Sequence, residues 1–180
     1  GAAVQLRHLQ PLTRRDADDR RDLGAGAGTV RGHENGNAGR RAGVIGTLGA
    51  FHDQESIPLV NTTPGAMELA EIFREFELHQ IDSVVKECSS HAIDQGRING
   101  IRFRCGALTN ITHDHLDYHG GFNEYAKCKE SFFTDYIASA PGSLSCFNMD
   151  DPSGAAFSAR YAGDQIRYSA SGSNKYEVVA

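Results

Sequence analysis

From residue 42 onward, segments typical of strands alternate with segments typical of helices, and this alternation limits the fold more than any other feature. The strand-like segments are short and mostly apolar, which favours buried strands. Such alternation indicates an α/β domain with a mainly parallel sheet flanked by helices. The expected strands are 42–49, 83–88, 101–110, 142–148, QIRYS and KYEVV, and helices are expected to start at Thr63-Pro64 and to cover 121–138 and 153–161.

Residues 1–42 differ in composition from the rest of the chain. They hold eight Arg, no Lys, five acidic residues and no aromatic residue. Their apolar residues follow no sustained helix or strand period, so burial cannot offset the entropy of ordering them. We therefore expect 1–42 to be a disordered or aberrant segment. Residues 43–180 would then form the domain, which we expect to be incomplete at both ends.

Composition excludes several classes of protein. The net charge is -5, which argues against proteins that coat nucleic acids or anionic membranes. The apolar runs are too short for a transmembrane helix, and the first residues do not resemble a secretory signal. The four cysteines form no CxxC pair, which favours free thiols and a cytoplasmic location. Nothing in the composition indicates an oligomeric state.

Three polar stretches follow predicted strands, and open α/β sheets bind their ligands at the carboxyl ends of strands. The first is Asn61-Thr62-Thr63-Pro64, at the start of a predicted helix. Its backbone donors and two hydroxyls could bind an anion or a sugar phosphate. The alternative is a simple helix start, with Thr63 as N-cap and Pro64 at the first helical position.

The second stretch is ECSSH (87–91), followed by Gln95 and Arg97. Glu87 at a strand end is a suitable oxygen ligand for magnesium, and Arg97 could form paired hydrogen bonds with a carboxylate or phosphate. Ser89 and Gln95 could hold a polar substrate, although helix capping by the serines is the alternative. A Ser90-His91 nucleophile pair is disfavoured because no G-x-S-x-G elbow is present.

The third stretch is TNITHDHLDYHG (109–120), in which three His and two Asp fall within seven residues. This density resembles a transition-metal site, but so short a segment could direct only one or two ligands at one ion. A solvated polar loop is one alternative. Another is a metal-dependent hydrolase that binds zinc through His113, Asp114, His115 and His119.

The predicted helix over 121–138 carries a lysine on its apolar face. At 100° per residue, Lys129 lies among aromatic residues that are four and seven positions away. An ammonium group there must extend to solvent, lose its proton or find a partner. Addition of CO₂ to the neutral amine would instead produce a carbamate, an anion able to bind magnesium. The aromatic residues in question are Phe122, Tyr125, Phe133 and Tyr136.

These blocks together resemble the central, P-loop-type domain of the Mur ligases. Within that family the chain most resembles the ligases that add the third amino acid to UDP-N-acetylmuramoyl-L-alanyl-D-glutamate. The resemblance runs from about Gly43 to Asp151, and it rests on six blocks in a fixed order. They are GVIGT, NTTP, ECSSHAIDQGR, LTNITHDHLDYHG, YAKCK and NMDDP.

The resemblance implies a cytoplasmic, ATP-dependent ligase of peptidoglycan synthesis, and therefore a role in cell wall biogenesis, cell shape and cell division. In that family ATP phosphorylates the terminal carboxylate of the substrate, and the incoming amine attacks the acyl phosphate. The implied cofactors are ATP and Mg²⁺. The implied partners are the UDP-N-acetylmuramoyl dipeptide and a diamino acid, either diaminopimelate or lysine, with no nucleic acid or membrane.

The resemblance also implies roles for individual residues. Lys129, as a carbamate that positions magnesium, and His115 would be catalytic. Glu87, His115 and Lys129 would bind magnesium, and Asn110 would lie near the nucleotide. The substrate would be bound by Thr62, Thr63, Ser89, Gln95 and Arg97.

The chain departs from the family pattern in one major respect. No G-x-x-x-x-G-K-[ST] phosphate loop occurs between Gly1 and Arg41, which suggests a reading-frame slip or a gene fusion. Lys86, Cys88 and Met149 are smaller departures. The family's C-terminal domain is absent as well, so we expect little or no ligation by this chain alone. The alternative is a non-catalytic remnant that still binds a UDP-sugar.

Overall fold

The computed structural model describes residues 3–8, 41–53, 55–112 and 116–169. Eight strands in these ranges form one sheet. The strands are β1 (Ala3–His8), β2 (Ala42–Gly46), β3 (Gly49–His52), β4 (Glu55–Ile57), β5 (Ser83–Cys88), β6 (Cys105–Leu108), β7 (Leu144–Asn148) and β8 (Gln165–Tyr168). The helices are α1 (Ala66–Leu78), α2 (Ser90–Asp94), α3 (Leu116–His119), α4 (Phe122–Ser131), which continues as a π-helix over Phe132–Ile137, and α5 (Pro152–Arg160).

The sheet confirms the predicted α/β class. Its strand order is β4-β3-β2-β5-β1-β6-β7-β8. β2 pairs in parallel with β5, and β7 pairs in parallel with both β6 and β8. Because β1 is antiparallel to β5 and to β6, the strands β2, β5, β6, β7 and β8 all run in one direction. Their carboxyl ends therefore meet at one edge of the sheet, where such sheets bind ligands.

Strand β1 occupies six residues of the segment 1–42, which is expected to be largely disordered or aberrant. Val4 and Leu6 stand two positions apart, which is the strand period, and the backbone pairs with a strand on each side. The backbone N–H and C=O groups of β1 are therefore hydrogen-bonded to β5 and β6. Composition alone could not predict this pairing, because the partner strands lie far away in the chain. Residues 9–40 and the KYEVV segment lie outside the described residues, so the proposed boundary at residue 42 stays a prediction.

Two clusters of buried side chains hold the helices against the sheet. Burial of one large apolar side chain contributes about 1.5–3 kcal/mol, so these clusters stabilise α1 and α4 more than helix propensity does. The first cluster joins α1 to β2, β3 and β5 through Ile45, Ala50, Leu69, Ile72, Phe76, Ile81 and Val84. The largest members of the second cluster are Phe103, Tyr125, Phe132, Phe133, Phe147 and Phe157.

The helix predicted over 121–138 is present, but its second half is irregular. α4 is followed directly by the π-helix Phe132–Ile137. The consecutive residues Phe132 and Phe133 are both buried, which the wider π-helical turn accommodates. Gly106 of β6 allows the close approach, since a Cβ atom at that position would lie 2.9 Å from the side chains of Phe132 and Ile137.

Two predictions from composition can be compared with the structure. All four cysteines are free thiols, as predicted. Within the described ranges, no helix combines the length and the apolar character that crossing a bilayer requires.

Candidate functional site at the carboxyl ends of the strands

Glu87 lies near the carboxyl end of β5, beside the end of β2. Its Oε2 atom accepts hydrogen bonds from the backbone N–H and the hydroxyl of Thr47, at 3.1 and 2.8 Å. Gly46 permits this contact, because a Cβ atom there would lie 3.0 Å from the carboxylate carbon of Glu87. Both bonds from Thr47 use Oε2, which leaves Oε1 for another partner. A half-buried carboxylate oxygen of this kind fits a magnesium ion.

Thr63 connects the NTTP loop to the end of β5, and the N-cap prediction for it is wrong. Helix α1 begins at Ala66 with Gly65 as its N-cap. The Thr63 side chain is buried; its hydroxyl donates to the carbonyl of Glu87 at 3.0 Å and accepts from the backbone N–H of Ser89 at 3.1 Å. Both hydrogen bonds are made to a distant strand end instead of the first turn of α1.

Thr62, which precedes Thr63, and Ser89, whose N–H bonds to Thr63, make further hydrogen-bond contacts through their hydroxyls. The hydroxyl of Thr62 is 3.3 Å from the hydroxyl of Thr47. The hydroxyl of Ser89 caps α2 by accepting from the backbone N–H of Ala92 at 3.2 Å, so the capping alternative for this serine is confirmed. The Ser90 hydroxyl has no hydrogen-bond partner among the described residues. The Ser90-His91 nucleophile pair is therefore not formed.

Arg97 extends the network on the other side of Thr63. Its Nη1 donates to the carbonyl of Thr63 at 3.0 Å, and its Nε donates to Oε1 of Gln95 at 2.8 Å. Gln95 in turn donates to the hydroxyl of Tyr118 at 3.1 Å, which donates to Asp94 at 2.7 Å. The structure thus brings Gln95 and Arg97 together with Thr63, while their role in binding substrate stays a prediction.

Lys129 is buried, which confirms its predicted inward orientation and excludes extension to solvent. The side chain is 2% exposed. Its Nζ donates to the carbonyl of Cys88 at 3.1 Å and lies 6.0 Å from the centroid of the Tyr125 ring. Because Cys88 directly follows Glu87, this nitrogen lies beside the end of β5 where the other predicted site residues meet. Its role as a magnesium-positioning carbamate stays a prediction.

Two further ionisable groups of β5 are buried next to Glu87. Burial lowers the pKa of Lys86, although the nearby Cys88 and Glu87 oppose that shift. The Lys86 Nζ donates to the carbonyl of Glu87 at 3.3 Å. Burial also raises the pKa of the Cys88 thiol to about 11 from 9.0. The fold thus favours the neutral form of both side chains, so their burial links the stability of this strand end to pH.

We expect Cys88 to make the folded chain less stable at alkaline pH. The folded thiol has the higher pKa, so its stabilising effect is complete below pH 9 and is lost as the pH rises through about 11. A shift of this size corresponds to about 2–3 kcal/mol. Urea unfolding at pH 8, 9, 10 and 11 under reducing conditions, compared with Cys88→Ala, measures it. Equal slopes for the two proteins would contradict the prediction.

A second polar group links the ends of β6 and β7. The Asn148 side chain donates to the carbonyl of Thr109 at 2.8 Å. Asp151 accepts from the backbone N–H of Ile111 at 3.2 Å and from that of Gly154 at 3.0 Å. Asp151 therefore caps α5 and also binds the loop that carries Asn110. The side chain of Asn110 is exposed. The contacts do not join Asn110 to the Thr63 network, and its role near a nucleotide stays a prediction.

Sequence reasoning missed three residues of these networks: Thr47, Tyr118 and Asp151. Asp-Pro before a helix is an N-cap signal that could have identified Asp151, although NMDDP entered the sequence analysis only as a block of the family resemblance. Thr47 and Tyr118 act through partners far away in the chain, so no local pattern marks them.

The predicted magnesium ligand His115 lies outside the described residues, as do His113 and Asp114. Of the four zinc ligands in the hydrolase hypothesis, only His119 lies within the described residues. The ring of His119 packs 5.4 Å from Tyr125 and 5.8 Å from His91, measured between ring centroids. Within the described part of the chain, His119 belongs to no group of side chains close enough to share a metal ion.

An open groove of about 710 Å³ lies between α2 and α4. Asp94 and Tyr118 line it, and these residues connect it to the Arg97 network. Thr62, Thr63 and Glu87 are not among its lining residues. The residues predicted to bind substrate and magnesium therefore lie at the strand ends, and the groove is a separate surface next to them.

Comparison with known proteins identifies a family that this chain matches. The family model for the Mur ligase middle domain matches residues 35–179. A protein from Geobacter metallireducens named UDP-N-acetylmuramoyl-L-alanyl-D-glutamate–2,6-diaminopimelate ligase is 37% identical over 132 residues, which is 72% of this chain and 25% of that protein. A ligase of the same name from Corynebacterium efficiens is 43% identical over 96 residues, or 53% of this chain and 18% of that protein.

A solved structure of a ligase with the same name shares the fold. The TM-score is 0.64 at 24% sequence identity, and the match covers 77% of this chain and 28% of that one. At this identity the likeness supports the architecture alone. The chain spans about a quarter or less of the length of the curated relatives described above.

Proposed function

The chain belongs to the Mur ligase family through its middle domain, and on that premise we propose that it is part of the ATP-dependent ligase that adds the third amino acid to UDP-N-acetylmuramoyl-L-alanyl-D-glutamate. The names of its relatives specify 2,6-diaminopimelate, so we propose the same amino acid here. The observation that carries the proposal is the burial of Lys129 against the carbonyl of Cys88, next to Glu87. A cytoplasmic location is part of the proposal, and the free thiols support it.

We assign the predicted substrate residues two kinds of role. Arg97 has further N–H groups beyond the two bonded to Thr63 and Gln95, so it can bind a carboxylate or phosphate of the substrate. Gln95 bonds directly to Arg97, and the Thr62 hydroxyl lies beside that of Thr47; both are polar groups that could contact the substrate. The Thr63 hydroxyl makes two internal hydrogen bonds, which supports a positioning role that sets the distance between the NTTP loop and β5.

Glu87 fits a magnesium ligand, because Oε1 is outside its two bonds to Thr47. When bound, Mg²⁺ neutralises phosphate charge during phosphoryl transfer. Lys129 would join Glu87 and His115 as a ligand after its neutral amine attacks CO₂. In that step an N–C bond forms, the π bond of one C=O of CO₂ breaks and places its electron pair on oxygen, and one amine proton leaves to solvent, giving a carbamate anion. Asn110 would lie near ATP at the end of β6.

Binding of the UDP-N-acetylmuramoyl dipeptide tests the proposal. We expect the full 180-residue chain to bind this ligand in isothermal titration calorimetry. Arg97→Ala should raise the dissociation constant at least tenfold, since a hydrogen bond to a charged group contributes about 1.5–3 kcal/mol. Arg102→Ala, at an exposed arginine outside the network, should change it less than about threefold. Absence of binding to the unmodified chain would overturn the proposal.

A second candidate function is binding without catalysis. It is favoured by the lack of a Gly-Lys-Ser/Thr phosphate loop in residues 1–41. On this alternative the chain binds the dipeptide equally well with and without ATP and releases no phosphate when diaminopimelate is added. Phosphate release and amide formation by the 180-residue chain would exclude it.

A further inference from the structure

We propose that His52, Glu55, Glu75 and His79 form a binding site for a divalent transition-metal ion, represented by Zn²⁺. One ligand atom from each of these four side chains lies within 4.8 Å of the other three. The register pairs His52 with Gly43 and Gly49 with Gly46. His52 therefore lies beside the start of β2, whereas Glu87 and Thr47 lie at its end. The proposed metal site and the predicted ligase site are at opposite ends of the sheet.

The fold brings two short sequence pairs together at this point. His52 ends β3 and Glu55 begins β4, so both belong to one tight hairpin. Glu75 and His79 lie one turn apart at the C-terminal end of α1, a spacing that puts both side chains on one helix face. The His79 Nε2 atom is 3.1 Å from the Glu75 carboxylate, and the His52 Nε2 atom is 3.9 Å from the Glu55 carboxylate.

The state of His52 is the independent observation that points to a ligand. The side chain is 1% exposed, and neither ring nitrogen has a hydrogen-bond partner among the described residues. Buried polar groups are nearly always paired, so an imidazole with two unpaired nitrogens requires an explanation. Its ring packs against the rings of Phe76 and His79 at centroid distances of 5.4 and 4.3 Å. A metal ion shared with His79 would satisfy Nε2.

Asp53 is suitably placed to orient the His52 ring. The Asp53 carboxylate is 3.8 Å from Nδ1 of His52, on the nitrogen opposite the one that faces Glu55. Metal-bound histidines usually donate their second ring N–H to such an oxygen. Asp53 is itself held by an ion pair with Arg41.

The donor set indicates which ion would bind. Two imidazole nitrogens and two carboxylates suit tetrahedral Zn²⁺ at about 2.0–2.2 Å, whereas Mg²⁺ and Ca²⁺ prefer oxygen ligands alone. Ligand atoms in such a tetrahedron lie about 3.3 Å apart, so the group must contract from its present spacing. Glu55 can supply this movement because its side chain is 65% exposed. Two carboxylates would also balance the charge of the ion.

Titration of the full 180-residue chain with Zn²⁺ alone tests the site. We expect one ion to bind and to raise the melting temperature. His79→Gln and Glu75→Gln should each weaken that binding at least tenfold, since loss of even outer-shell partners commonly costs 10–100-fold in affinity. Glu77→Gln, at an exposed carboxylate on the same helix, should leave the affinity unchanged. These partly exposed positions avoid the risk that a change at buried His52 prevents folding.

Co²⁺ provides a spectroscopic readout that separates this site from the other possible ligands. A tetrahedral site built from His and Glu gives visible d–d absorption without the near-ultraviolet charge-transfer band of a thiolate ligand. That spectrum in the unmodified chain, and its loss in His79→Gln, are the expected results. A thiolate band, or Zn²⁺ binding unaffected by His79→Gln and Glu75→Gln, would place the ion on cysteines or other histidines and would overturn the proposal.

Discussion

Replacing Thr63 by valine should lower the free energy of unfolding by about 2–3 kcal/mol. Valine keeps the shape of the side chain but removes a buried hydroxyl that bonds two backbone groups, the carbonyl of Glu87 and the N–H of Ser89. The Glu87 carbonyl retains a longer bond from Lys86 at 3.3 Å, so the larger penalty falls on the Ser89 N–H. An unsatisfied buried group costs about 1–3 kcal/mol. Urea unfolding followed by circular dichroism measures the change.

Thr63→Ser is the matched control. Serine keeps the hydroxyl and loses one buried methyl group, which costs about 1 kcal/mol. On the proposed function, Thr63→Val should also weaken binding of the UDP-N-acetylmuramoyl dipeptide, whereas Thr63→Ser should bind nearly as well as the unmodified chain. Equal destabilisation by valine and serine would show that the hydroxyl does not connect the NTTP loop to β5.

The parts of the fold that could be predicted are those with a local physical signature. Strand β5 was predicted over its full length, because SVVKEC is a short, mostly apolar run between polar turns. The position of Lys129 on the apolar face followed from helical period alone, because a residue four positions from Tyr125 and from Phe133 shares their face; that its side chain is buried is shown by the structure. Neither inference needed a residue from elsewhere in the chain.

Thr63 illustrates where local reasoning failed. Thr-Pro before an apolar stripe is a genuine N-cap signal, and the helix does begin close by, at Ala66. The hydroxyl nevertheless bonds to residues 24 and 26 positions away. A capping rule considers only the next turn of helix, so it cannot detect a stronger partner that the sheet brings into contact.

The group formed by His52, Glu55, Glu75 and His79 was missed for the same reason. Each pair has an ordinary spacing in the sequence, and the two pairs are more than fifteen residues apart. They meet only because β3 turns back along β2 while α1 returns toward the start of β5. The stretch at 113–119 predicts a metal site from the density of its His and Asp residues, whereas these four side chains are distributed along the chain.

Replacing Asp151 by alanine should destabilise the chain by about 2–4 kcal/mol, because one carboxylate serves two elements. Loss of the N-cap of α5 costs about 0.5–2 kcal/mol. Loss of the acceptor for the Ile111 N–H, a residue that is 7% exposed, leaves a buried donor unpaired at a further cost of about 1–3 kcal/mol. The second loss should also release the loop that carries Asn110. Hydrogen exchange at residues 109–112 would then accelerate together with the first turn of α5.

Two variants separate this double role from a simple charge effect. Asp150→Ala removes an exposed carboxylate one position earlier and should cost less than about 1 kcal/mol. Asp151→Asn keeps one acceptor oxygen for two N–H donors, so its cost should fall between those of the two alanine variants. If Asp150→Ala destabilised the chain as much as Asp151→Ala, the loss would reflect charge at this turn. The link from α5 to the Asn110 loop would then have no energetic support.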